Sequence, residues 1–152
     1  MMNVYRDITF IYIWMIGYHP SSLTLTVVGH FLIEHLVNEI ISNRCKNAKK
    51  IIEYSFSTKV EFLNSMNLLP NDLYINIKNL NSIRNNMVHT LEANLKSVDF
   101  YKSSGQKIII KTPKSGDLER HYLKMLSQGT LIGLRNYMLS TLKISTDYSF
   151  LL

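Results

Sequence analysis

Residues 73–89 read LYINIKNLNSIRNNMVH, and this stretch decides the fold. Its apolar residues Leu73, Ile77, Leu80, Ile83 and Met87 recur at i, i+4, i+7, i+10 and i+14. Only an α-helix gathers that series on one face, because a strand would divide it between two. Leu69-Pro70-Asn71-Asp72 supplies a start: proline fits the first turn, and Asp72 faces the positive end of the helix dipole. The last two turns carry a fixed cation at Arg84, a carboxamide at Asn85 and an imidazole at His89.

Toward the N-terminus, Phe56, Val60, Leu63 and Met66 are spaced for a short helix at 58–66, with Ser57 as its N-cap. The basic run at 44–50 reads as a solvated helix end or a nucleic-acid contact. A long helix at 22–44 begins at Pro20-Ser21-Ser22, where a serine hydroxyl can accept from the first free N–H groups. Leu25, Val28, Leu32, Leu36 and Ile40 line one side of it. Val27, Phe31, Ile33, Val37 and Ile41 spread apolar surface around the cylinder, so the helix is central or shared with a partner chain. Glu34 interrupts this surface and needs a mate, for which Arg84 or a helix-end N–H is the candidate. His30 and His35 read as satisfied core or interface histidines. Residues 3–18 are β-branched and aromatic and read as a buried helix, or an extended segment, stopped at His19-Pro20, with Trp14 and the methionines filling the core.

Toward the C-terminus, residues 90–116 change character. Lys96, Lys102, Lys107, Lys111 and Lys114 stand against Glu92 and Asp99, and Ser103-Ser104-Gly105 and Pro113-Lys114-Ser115-Gly116 are turn-like. Residues 107–111 read as one short strand. Asp117 then caps a last helix at 118–143, with Leu123, Leu126, Leu131, Leu134, Met138 and Leu142 facing inward. The expectation is one all-α domain over 1–152, a bundle of four to five helices with a short basic insertion near 93–116.

Hydrophobic residues make up 46% of the chain and charged residues 18%, a balance that supports a core and excludes general disorder. Lys and Arg outnumber Asp and Glu by 17 to 11, which favours anionic partners such as nucleic acid. The single cysteine, Cys45, excludes an intrachain disulfide and points to a reducing, cytoplasmic setting. The apolar run at 8–18 is about half of the ~20 residues that cross a bilayer, so no membrane segment is expected. The sequence carries no zinc-ligand spacing, no carboxylate cluster for magnesium, no Gly-rich phosphate loop and no Ser-His-Asp arrangement. No metal or cofactor is expected.

On a helix, Asn85 and His89 share a face, so the amide can orient the imidazole and select its tautomer. Arg84 stands about 100° round the axis from Asn85. The three therefore work together best in the mouth of a cleft or where two copies of the helix meet. A histidine can take the proton of an RNA 2′-OH or deliver one to the leaving oxygen. A guanidinium can hold the scissile phosphate and the charge of its transition state. The same residues also fit a plain helix end, with Arg84 in a surface ion pair and His89 as a C-terminal cap.

SFSTKVEFL at 55–63, NLLP at 67–70 and LNSIRNNMVH at 80–89 together resemble the HEPN superfamily. Within it they are similar to the branch of mannitol-operon-repressor-like and related small helical domains. There a serine-phenylalanine start, a lysine and an L-x-x-I-R-N-x-x-x-H ending recur in this order. GHFLIEHL at 29–36 resembles the family's long first core helix with its internal glutamate, here Glu34. The resemblance spans about residues 22 to 90. It implies a helical bundle that forms a homodimer with the two motif helices near the two-fold axis. Many members are metal-independent endoribonucleases, often toxins or antiviral effectors. By this resemblance Arg84 binds phosphate, Asn85 orients, and His89 is the acid or base of a composite site. The products carry 2′,3′-cyclic phosphate and 5′-hydroxyl ends, and a cognate antitoxin is an expected partner. Other members of the branch are non-catalytic and regulatory, and there Arg84 and His89 stabilise the dimer.

Three readings follow: an endoribonuclease, a non-catalytic regulatory dimer, and a nucleic-acid binder acting through Lys96, Lys102, Lys107, Lys111 and Lys114. Tyr101 with Lys102 and Tyr122 with Lys124 are candidate single-strand contacts or aromatics closing over the bundle. His121 reads as a solvated helix face.

Overall fold

In the computed structural model, which describes residues 8–90, 99–101, 106–109 and 116–145, the stretch at 73–89 is the body of one long helix. In chain order the elements are α1 (Ile8–Ile16), α2 (Ser22–Arg44), α3 (Ala48–Ile52), α4 (Phe56–Ser65), α5 (Asn71–Thr90), β1 (Asp99–Tyr101), β2 (Lys107–Ile109) and α6 (Gly116–Tyr137). A π-helical segment, Met138–Leu142, closes α6. The described residues form an all-α bundle of six helices, where four to five were expected. Tyr101 pairs with Lys107 in an antiparallel ribbon of β1 and β2, where one strand was expected at 107–111. The remainder of the 93–116 insertion, residues 3–7 and the tail from 146 lie outside the described residues.

α5 buries Leu73, Asn76, Ile77, Leu80, Ile83 and Met87, the expected stripe plus one asparagine. Its first turn is held by Pro70, whose carbonyl accepts from Tyr74 N at 2.9 Å. The Asp72 carboxylate accepts from Leu73 N at 2.8 Å. α2 starts where Ser21 Oγ accepts from Thr24 N at 3.1 Å, and it ends as Cys45 turns extended. By length and composition α2 could cross a membrane, yet 56% of its most apolar stretch is buried inside the bundle. A helix surrounded by neighbours acquires that composition as core.

α2 and α6 run parallel. Ser22 Oγ donates to Glu119 Oε1 at 2.7 Å near their first turns, and Arg44 donates to the Leu142 carbonyl at their last. Between these ends the helices nearly touch at Gly29. A Cβ there would stand 2.5 Å from Ser127 Oγ, so no larger residue fits unless α6 moves. α5 runs the opposite way. Its first turn, at Leu73, lies against Gly133 late in α6, whereas Asn81, two turns on, meets His30 of α2 beside the Gly29–Ser127 contact. The C-terminal end of α5 therefore projects toward the N-terminal ends of α2 and α6.

α1 covers the seam between α2 and α6 with Ile8, Ile11, Tyr12 and Ile16 buried. Gly17, at φ 70°, ends it in the left-handed region that a Cβ disfavours. Trp14 does not fill the core; it is 61% exposed. α1 is apolar on all sides, so composition could not choose its inward face. Met15 and Met66 are likewise exposed, whereas Met87 and Met138 are buried. Ser55, not Ser57, caps α4: its Oγ accepts from Thr58 N at 3.3 Å, and the helix starts two residues earlier than the apolar stripe implied. Asp117 sits inside the first turn of α6 and pairs with Arg120 rather than preceding the helix. All six leucines and methionines expected to face inward along 123–142 are buried.

Candidate functional site

The apolar face of α5 fixes where its polar residues point. Ile83 and Met87 are buried, so Arg84, Asn85 and His89 are carried around the rim of the same two turns. Arg84 is half-buried, and Asn85 and His89 are exposed. Arg84 Nη1 donates to Asn85 Oδ1 at 2.9 Å. The Asn85 oxygen thus serves the guanidinium of its neighbour, where helical spacing alone paired Asn85 with His89. The arrangement leaves a positioned cation and a solvent-reached imidazole on one helix end.

A second layer sits behind Arg84. His30 Nε2–H donates to Asn81 Oδ1 at 3.0 Å, and its ring packs on Phe56 with centroids 4.3 Å apart. Burial holds the imidazole below the ordinary histidine range; the Asn81 bond and Glu34 act the other way, and the charges of Arg84 and Lys59 reinforce burial. A neutral His30 spares Arg84 a competing cation. His30 is therefore a satisfied interface histidine between α2, α4 and α5, as its sequence context implied.

Glu34 does not pair with Arg84. Its Oε1 accepts from Lys59 Nζ of α4 at 2.6 Å. The same ammonium donates to Asn38 Oδ1 at 2.9 Å and reaches the Ile52 carbonyl at 3.4 Å. A lysine in an amphipathic α4 is the side chain long enough to enter the gap between α2 and α3. Glu34 thus supports the site indirectly, by locking α4 to α2. Between α4 and α5 lies an open groove of about 260 Å³, lined by Ser57, Lys78, Asn81, Ser82, Asn85 and Asn86 among others. Apart from Lys78 its described lining is uncharged and rich in amides, and Asn85 joins it to the Arg84 end.

Of the insertion lysines, Lys107 lies on β2 and is exposed. Lys96, Lys102, Lys111 and Lys114 lie outside the described residues. Tyr101 is half-buried, and its backbone is gripped by α5: Asn76 Nδ2 donates to Tyr101 O and Tyr101 N donates to Asn76 Oδ1, both at 2.7 Å. Tyr122 packs against the core, and His121 is exposed. Cys45 is half-buried, and burial raises its thiol pKa. Among the described residues no group of three or more His, Cys, Asp or Glu side chains converges. Sequence reading missed Asn81 and Asn76. Their only signal was an asparagine at a position that helical spacing turns inward.

No protein-family model, curated protein or solved structure matches the chain.

Proposed function

We propose that the chain is a metal-independent endoribonuclease of HEPN type, working as a homodimer through its motif helices. The observation that carries this reading is the end of α5, which carries a half-buried Arg84 bonded to Asn85 and, further along, an exposed His89. It is joined by the resemblance of residues 55–89 to that family. In the mechanism, Arg84 holds the scissile phosphate. The His89 of one protomer takes the proton of the 2′-OH as its oxygen bonds phosphorus. The bond to the 5′ oxygen breaks, and that oxygen takes a proton from the His89 of the other protomer. The products are a 2′,3′-cyclic phosphate and a 5′-hydroxyl. Positioned proton transfer contributes about 10²–10⁴-fold in such steps. Val88, 55% exposed, and Val27 and Phe31 of α2 leave exposed apolar surface for a second copy to cover.

The protein acts in the cytoplasm, with a cognate antitoxin or other partner restraining it. The same exposed apolar surface favours a second reading, a regulatory dimer in which Arg84 and His89 only join the subunits. The experiment that separates the two is cleavage of a labelled RNA in EDTA. His89→Ala is expected to reduce cleavage at least 100-fold with an unchanged melting temperature and dimer. A wild-type dimer that cuts no RNA, together with an Arg84→Ala chain that becomes monomeric, assigns the regulatory role instead.

A further inference from the structure

We propose that the cleft between the α1–α2 connection and the first two turns of α6 binds phosphate groups of single-stranded RNA, as a second hold on the strand cut at the end of α5; the inference rests on that reading. The cleft has a volume of about 680 Å³. Its walls present His19, Arg120, His121 and Lys124, with Asp117 the one carboxylate among the described lining residues. Residues 117, 120, 121 and 124 fall on one face of α6, opposite the buried Leu123 and Leu126. Asp117 is already paired with Arg120. Glu119 is turned away, its carboxylate accepting from Ser22 Oγ. Arg120 and Lys124 against Asp117 therefore leave the described lining with one positive charge in excess. The N-terminal end of α2, with Ser21 in the wall, adds the positive end of its dipole.

Tyr18, fully exposed, stands at the rim beside two imidazoles. Cations in the cleft and flat faces at its rim match the alternation of phosphate and base in a single strand. The concave shape favours this occupant over a lipid surface, whose headgroups present a plane. The cleft also lies at the catalytic end of the bundle. His89 is eight residues beyond Asn81 on α5, and Ser21 is nine residues before His30 on α2. At about 1.5 Å per residue these are about 12 and 13 Å from the shared Asn81–His30 contact, in the same direction. One strand can therefore reach both sites on the same end of the molecule.

The test uses the full chain and a fluorescent RNA of about twelve nucleotides, within the span such sites engage. The RNA is 2′-O-methylated throughout, so that it binds without being cut. Arg120→Ala with Lys124→Ala is expected to weaken binding about tenfold or more. The log–log salt slope should flatten by about 0.7 per lost phosphate contact. Tyr18→Ala should weaken binding several-fold, and Tyr18→Phe should not. Lys124→Glu, on an exposed residue, repeats the loss with an unchanged melting temperature. Unaltered affinity in the double variant overturns the proposal, as does tighter binding to phosphatidylserine vesicles that the same substitutions abolish. A chain that binds through the cleft but cuts no RNA removes the nuclease reading and keeps the cleft. A chain that cuts, with affinity indifferent to these substitutions, removes the cleft alone.

Discussion

Substituting each partner of the Lys59–Glu34 pair separately tests the account of how α4 is locked to α2. The two ends are unequal: the Lys59 side chain is 3% exposed and the Glu34 side chain 36%. Lys59→Met keeps the aliphatic stem and removes the donors. Glu34 can then turn to water, so the loss lies at the low end for a hydrogen bond to a charged group, about 1.5 kcal/mol. Glu34→Gln strands the ammonium where water cannot follow. The counter-charge is lost, but the new amide oxygen and the Asn38 and Ile52 oxygens remain as acceptors, which holds the cost to about 3 kcal/mol, the low end for breaking a buried pair. With both changes no charge is buried, and the total should be about 2 kcal/mol, well short of additive. Urea unfolding followed by far-UV circular dichroism measures all three. The reasoning fails if Glu34→Gln is no costlier than Lys59→Met, or if the two effects simply add.

Two further outcomes are expected. Because burial lowers the folded pKa of His30 beneath the unfolded value of about 6.5, the unfolded chain binds more protons between the two. Stability is then full above about pH 6.5, falls as pH drops through that region and levels off once folded His30 also protonates; His35 acts in the same direction. His30→Gln, which keeps an amide for Asn81, should flatten this slope in urea midpoints taken between about pH 5 and 8. Gly29→Ala should cost about 1–3 kcal/mol by forcing α2 and α6 apart. Ser127→Gly should restore much of it, since Ser127 Oγ and Cβ are the atoms a new methyl meets first.

Helix spacing made most of the bundle legible. The stripe on α5, the bounds of α2 at Ser22 and Arg44 and the inward leucines of α6 follow from periodicity and one serine cap. Faces were unreadable where periodicity was absent, as in α1, whose uniform apolarity hid the outward turn of Trp14. Long-range polar pairing was unreadable for a different reason. The mate of Glu34 depends on which helix packs opposite it, and nothing local distinguishes Lys59 from the surface lysines. The candidate residues Arg84, Asn85 and His89 were found as a motif. Their setting behind His30 and Asn81, and the cleft from Tyr18 to Lys124, arise only once the antiparallel course of α5 is known.

The grip of Asn76 on Tyr101 has a consequence for aggregation. In a strand, the N–H and C=O of one residue point to the same side, and those of Tyr101 both go to the carboxamide. At Tyr101 the outer edge of β1 is thereby occupied by a helix side chain that imitates a neighbouring strand. On the other strand, β2, Lys107 adds a charge to the ribbon. An aspartate at position 76 would supply acceptors without the donor, so the Tyr101 carbonyl would lose its partner and that point of the edge would be open to another chain.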